Sequence, residues 1–181
     1  QGAPWYPGET LNVGIGQGYF LTTPLQLASA TSLLASGGDT VTPHLFLKSS
    51  INNKEQTYNY NDNKTSINID IDSLHIVNEA MWRVIYDNDV GTASHLKKIE
   101  GIEFAGKTGT AQVYNLDKGK TGTKSLQDHA LFISFAPFES PEIIVSVIVD
   151  NGGSGSAIAA PIARDIINFY FKNIKTKLAK Q

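Results

Sequence analysis

The sequence predicts an α+β domain in which an antiparallel sheet is flanked by helices. Three observations carry the prediction. Helical apolar spacing recurs at 23–36 and 72–86 and again at the end of the chain, over 157–174. Three β-prone runs, 103–113, 130–136 and 143–149, follow one another without a helix between them. Strands joined by short loops are normally antiparallel neighbours, whereas parallel strands need a crossover.

Bulk composition bounds the rest. The 181 residues are 41% hydrophobic, enough for one sizeable core, so one domain is expected. A net charge of −2 with scattered Lys and Arg gives no footprint for nucleic acid. The basic tail Lys172, Lys175, Lys177 and Lys180 reads as a solvated helix end. The absence of cysteine excludes disulfides and thiolate sites within the chain. No apolar run approaches the roughly 18 residues of a membrane span, and no signal peptide is present. The opening Gln1-Gly2-Ala3-Pro4 lacks an initiator Met and reads as a loop entered midway, so a fragment is expected, with targeting signals out of view.

Taken in order, residues 9–22 carry Gly14, Gly16 and Gly18 and predict a tight, glycine-governed backbone path. Thr23, Pro24 and Gln26 then supply a helix start with a capping box. Leu25, Leu27, Ala28, Ala30, Leu33 and Leu34 give that helix a broad apolar face, and Gly37-Gly38 ends it. Residues 40–47 are β-like, with Pro43 confining them to an edge or a strand start. Residues 48–70, rich in Asn, Lys, Ser and Tyr, predict a surface hairpin or irregular excursion. Asp72 or Ser73 caps the next helix, whose inner positions are Ile76, Val77, Ala80, Met81, Val84 and Ile85. The strand over 103–113 leads into a polar loop, 114–127. The nearly all-apolar 143–149 predicts a strand buried on both faces. Asn151-Gly152-Gly153-Ser154-Gly155 is a turn, and Pro161 lies near the start of the closing helix.

The run Gly106-Lys107-Thr108-Gly109-Thr110 fits two chemistries. Counted from Gly101 it completes Gly-x-x-x-x-Gly-Lys-Thr, a phosphate-cradling loop, and Asp150 after an apolar strand would suit magnesium. That mechanism needs a helix opening at Lys-Thr. Here the intervening Ile102, Glu103, Phe104 and Ala105 alternate like a strand, and the residues after Thr108 are β-prone. Read forward, Lys-Thr-Gly-Thr is the triplet-plus-one of penicillin-recognising acyl transferases. On a strand, Lys107 and Gly109 share one face, and Thr108 and Thr110 the other. A cation and hydroxyls beside a free backbone edge suit an extended peptide ending in a carboxylate.

Further runs carry a resemblance. They are Gly8-Glu-Thr-Leu-Asn-Val-Gly-Ile-Gly-Gln-Gly18, Thr23-Pro-Leu-Gln26, Gly91-Thr-Ala93, Lys107-Thr-Gly-Thr-Ala-Gln-Val113, Asp128-His129, Phe135-Ala-Pro137 and Asn151-Gly-Gly-Ser-Gly155. In this order the chain resembles the C-terminal half of the transpeptidase domain of class B penicillin-binding proteins, of the elongation type (the penicillin-binding protein 2 group). The likeness touches nearly all of 1–181 outside 48–70. It implies part of the serine β-lactamase/penicillin-binding transpeptidase fold, and peptidoglycan D,D-transpeptidase activity on D-Ala-D-Ala stem peptides. It also implies acylation by β-lactam antibiotics, no cofactor, and a place at the periplasmic face of the bacterial inner membrane. The implied partners are the remainder of the transpeptidase domain, a RodA-type glycosyltransferase and an MreC-type scaffold.

The resemblance assigns roles to a few residues. Lys107 supplies positive charge for the substrate carboxylate, the Thr108 and Thr110 hydroxyls bond it, and the Thr110 N–H is one oxyanion donor; Gly109 lies between them. The family's other motifs, Ser-x-x-Lys and Ser-x-Asn, are expected upstream of Gln1. Ser94-His-Leu-Lys97, Ser50-Ile-Asn52 and Ser66-Ile-Asn68 match their patterns but read as chance surface matches in a chain rich in Ser, Lys and Asn. His129 and Asp128 are expected in structural hydrogen bonds, and His44, His75 and His95 share no metal-ligand spacing. Trp5, Tyr6, Tyr19 and Phe20 read as core or loop packing ahead of a peptide groove. Two alternatives remain: a non-catalytic relative binding a wall peptide or protein partner, and a β-lactam sensor or hydrolase.

Overall fold

A computed structural model describes residues 4–46, 48–52, 54–57, 65–112 and 127–175. The first element is a helix, α1, over Pro7–Gly14. Its start chemistry lies in Pro7 at the first helical position and Glu9 in the first turn, where a carboxylate meets the positive helix end. The glycine-governed path expected over 9–22 therefore begins only at the end of α1, where Gly16 and Gly18 take φ of 74° and 70°.

The second helix, α2, spans Pro24–Ala35 with the expected capping box. Thr23 Oγ1 accepts the Gln26 N–H at 3.2 Å, and Gln26 Oε1 accepts the Thr23 N–H at 2.8 Å. Its apolar face is shallower than expected. Leu25 is 60% exposed, and the buried residue is Thr31, whose hydroxyl bonds the Leu27 carbonyl. Gly38, at φ 108°, approaches the Ile67 carbonyl so closely that a Cβ would lie 2.4 Å from it.

No strand forms over residues 40–46, which corrects the β-like reading of 40–47; position 47 itself lies outside the described residues. Asp39 makes an isolated bridge to Ser66, and Thr40 donates to the Thr65 carbonyl at 2.9 Å, but Pro43 has no N–H with which to continue a ladder. The expected surface hairpin is present as β1, Lys48–Ile51, paired antiparallel with β2, Lys54–Thr57.

Helix α3 spans Ile71–Tyr86. Its cap is Asp70, not Asp72 or Ser73: the Asp70 carboxylate accepts both the N–H and the hydroxyl of Ser73, at 2.9 and 2.6 Å. The buried stripe is Leu74, Met81 and Ile85, while Ile76 is 68% exposed. Asn78 lies one turn from both Leu74 and Met81 and donates to the Leu34 carbonyl of α2, so a polar side chain takes part in the helix contact.

The sheet has three antiparallel strands, β3 (Ala105–Ala111), β4 (His129–Ala136) and β5 (Ile143–Val149), in that spatial order. One face presents Ala105, Ile133, Phe135 and Ile144 to Met81 of α3 and Ala35 of α2. The other presents Phe132, Val145 and Val147 to the last helix, α4 (Ala160–Phe169), through Ala160, Ala163 and Ile167. Strand β5 is buried at Val145 and Val147 and only partly at the alternating positions, which corrects the expectation of burial on both faces. The closing helical segment expected over 157–174 starts at Gly155, because wider turns over Gly155–Ala159 and Tyr170–Lys175 extend α4 at both ends. The α+β class, with a sheet between helices, is as the sequence predicted.

Candidate active-site edge

Strand β3 is one of the two edge strands of this sheet among the described residues, and Lys107, Thr108, Gly109 and Thr110 lie along it. The register sets Lys107 opposite Ile133 and Gly109 opposite Leu131 on one face, and Thr108 opposite Phe132 and Thr110 opposite Ala130 on the other. Gly106 is required by sterics, since a Cβ there would lie 2.5 Å from the Phe132 ring.

Backbone polarity follows from two hydrogen bonds. The Thr110 carbonyl accepts Gln17 Nε2–H at 3.0 Å, and the Thr108 carbonyl accepts Lys107 Nζ–H at 2.7 Å. Neither donor belongs to β4. In an antiparallel strand the N–H and C=O of one residue point to the same edge, and opposed pairs alternate between exchanging bonds and exchanging none. Thr108 and Thr110 therefore present N–H groups on the side of β3 that faces away from β4.

The hydroxyls of Thr108 and Thr92 lie 3.0 Å apart. Thr92 sits in the turn after α3, which Asp87 organises. Its carboxylate accepts Arg83 Nη2–H at 2.7 Å and the N–H groups of Asp89 and Val90. The Arg83 hydrogen bond, aided by those two N–H groups, holds the Asp87 carboxyl below the ordinary carboxylate range. Gly91 closes this turn where a Cβ would lie 2.4 Å from the Asp87 carbonyl. Beside β3, Gln17, Phe20, Leu27, Gly109, Thr110 and Leu131 help line a pocket of about 410 Å³.

Other expected site features fall elsewhere. His129 Nδ1 accepts the Asn151 N–H at 3.0 Å, the structural bond anticipated for it. Of the four aromatic residues near the glycine-rich segment, Phe20 lines the pocket. Trp5, Tyr6, Tyr19 and Phe20 are 54–65% exposed, so of the expected core or loop packing the core part does not hold, while Trp5 Nε1–H bonds the nearby Thr10 hydroxyl. Ser50, Asn52, Ser66 and Asn68 are exposed, Ser50 on β1 and the others in the chain beyond it. Ser94 and Lys97 lie in the turns between α3 and β3. Among the described residues no cluster of His, Asp and Glu is placed to hold a metal, and no helix is long and apolar enough to cross a membrane. Two contacts at the site carry no role in the sequence reading, those of Gln17 and Thr92. Both residues lie inside the matched runs Gly8–Gly18 and Gly91–Ala93, which was the available signal.

The fold is thus an α+β domain in which one cation and two hydroxyls lie along an edge strand that, among the described residues, pairs only with β4. The chain belongs to the family described as penicillin binding protein transpeptidase domain, which it matches over residues 1–168. It is 37% identical over 175 residues to peptidoglycan D,D-transpeptidase MrdA of Haemophilus influenzae, covering 92% of this chain and 26% of that protein. Among solved structures, Pseudomonas aeruginosa PBP2 in complex with WCK 5153 superposes with a TM-score of 0.74 at 38% identity, covering 92% of this chain and 34% of that one. Helicobacter pylori PBP2, solved in complex with MreC, gives a TM-score of 0.70 at 29% identity over 95% of this chain and 29% of that one. The chain spans about a quarter of the length of the curated relatives it matches.

Proposed function

We propose that this chain supplies the carboxylate-binding and oxyanion wall of a peptidoglycan D,D-transpeptidase. The observation that carries the reading is the Lys-Thr-Gly-Thr sequence on a strand that, among the described residues, pairs on one side only, with the Thr108 and Thr110 N–H groups turned outward. A stem peptide ending in D-Ala-D-Ala adds along β3 as an extended segment. Its terminal carboxylate meets the Lys107 ammonium and the Thr108 and Thr110 hydroxyls, charge-assisted contacts that fix its register.

A serine contributed by the rest of the transpeptidase domain attacks the penultimate carbonyl carbon, and its proton passes to a neighbouring base. The carbonyl oxygen becomes an oxyanion that the Thr110 N–H stabilises; one such donor is worth about 2.7–4 kcal/mol in the transition state. The C–N bond then breaks, and terminal D-Ala leaves with a proton on its nitrogen. An amine from a second stem peptide takes the acyl group and releases the serine. β-Lactams acylate the same serine with their carboxylate on the same edge.

By family membership, the working partners are the remainder of the domain, an MreC-type scaffold and a RodA-type glycosyltransferase, at the periplasmic face of the inner membrane. The complex of the Helicobacter pylori protein with MreC supports the scaffold assignment. Fluorescent-penicillin labelling of the full-length protein tests the reading. Lys107→Ala should slow acylation by at least an order of magnitude. Undiminished labelling removes the carboxylate role, and a full-length protein that takes no label at all is instead a non-catalytic binding module.

A further inference from the structure

We infer that Gln17 is a positioning residue for acylation, acting through the backbone of Thr110. The inference rests on the reading of β3 given above and names a part of the site that lies 93 residues away in sequence.

The glycine-rich segment is built to deliver this one side chain. At the end of α1, the Gly16 N–H bonds the Val13 carbonyl at 3.0 Å, and the Gln17 N–H bonds the Asn12 carbonyl at 2.9 Å. Gly16 and Gly18 flank Gln17 in the left-handed region, at φ 74° and 70°, where other residues are strained. Gln17 is thus clamped to α1 by its own backbone and turned out by a glycine on each side. Its amide then spans to β3 and meets the Thr110 carbonyl at 3.0 Å.

The geometry at Thr110 explains why that contact matters. Its N–H belongs to the peptide plane shared with Gly109, and its C=O to the plane shared with Ala111. Gly109 opposes Leu131 on β4, and its backbone N and O lie at that ladder, which restrains the first plane. The second plane turns its Ala111 N–H toward His129 on β4 and its Thr110 C=O outward, where Gln17 holds it from outside the sheet. Thr110 is therefore fixed on both sides of its Cα. An oxyanion donor must be held within roughly 10–20° of its productive direction, which is the restraint Gln17 adds. Loss of the bond should act on the chemical step, where the oxyanion develops, and leave ground-state binding through Lys107 unchanged.

The experiment is time-resolved labelling of the full-length protein by a fluorescent penicillin across a concentration series, separating the dissociation constant of the non-covalent complex from the acylation rate constant. Gln17→Glu keeps the size but removes the N–H donor; Gln17→Ala removes the side chain. Both should lower the acylation rate constant about three- to tenfold, the range of one neutral hydrogen bond, with the dissociation constant and the unfolding midpoint unchanged. A destabilised fold would not by itself produce that split in the protein that still labels. Acylation equal to or faster than wild type in Gln17→Glu overturns the inference, as does a change confined to the dissociation constant. Lys107→Ala, measured alongside, separates the two claims. If it acylates normally, the reading of β3 fails; if it is slow while the Gln17 variants are normal, only the inference fails.

Discussion

The hydroxyls of Thr92 and Thr108 meet at 3.0 Å and join the turn after α3 to the edge strand. Thr92→Val preserves the shape of the side chain and removes its hydroxyl. The Thr108 hydroxyl then loses the partner that orients it toward a substrate carboxylate. Acylation by penicillin should fall about two- to fivefold, in keeping with one neutral hydrogen bond. Thr92→Ser should restore it. Equal labelling by Thr92→Val and wild type would remove Thr92 from the site.

The turn that presents Thr92 has its own acid limit. Asp87 is held below the ordinary carboxylate range first by the Arg83 hydrogen bond, then by the N–H groups of Asp89 and Val90. A carboxyl with a lower pKa folded than unfolded favours the folded state when ionised. That contribution is complete above the unfolded value, near pH 4, and is lost as pH falls through the lower folded value. Asp87→Asn should therefore flatten the acid limb of stability below about pH 4, read by denaturant titration at stepped pH. An unchanged acid limb would mean that the Arg83–Asp87 pair adds nothing.

Gly155 presses its backbone onto the sheet where no side chain fits. A Cβ there would lie 2.4 Å from the Gly109 carbonyl oxygen and 2.5 Å from that of Leu131. Both obstacles are backbone atoms of the β3–β4 ladder, so neither can rotate away. Gly155→Ala should cost about 1–3 kcal/mol, the usual penalty of overpacking, in thermal or denaturant unfolding. Because the displaced atoms flank Thr110, acylation should fall with it. Unimpaired stability would show that the Gly155 turn can move off β3.

Much of this was legible in the chain. Thr23, Pro24 and Gln26 announce α2 because their interactions are local, and the strand alternation expected over 103–113 sets Lys107 and Thr108 on opposite faces, as the register of β3 over Ala105–Ala111 does. What was missed depends on longer-range geometry. Helix α1 was hidden because Gly14, Gly16 and Gly18 at and just beyond its end read as a loop, although Pro7 and Glu9 carry its start. The cap fell to Asp70 because its carboxylate reaches two donors on Ser73, a choice that residue type alone does not make among neighbouring Asp and Ser. Residues 40–46 look β-prone yet join no strand among the described residues; Asp39 makes an isolated bridge and Thr40 bonds Thr65. The contacts of Gln17 and Thr92 required the fold, since each joins residues far apart in sequence: 93 positions in one case and 16 in the other.

A β-lactam adduct of the full-length protein tests the edge-strand site most directly. Its crystal structure should place the ligand carboxylate within hydrogen-bonding distance of Lys107, Thr108 and Thr110, and the acyl carbonyl oxygen against the Thr110 N–H. An adduct whose carboxylate lies on another element, leaving the outer edge of β3 without contact, would contradict it.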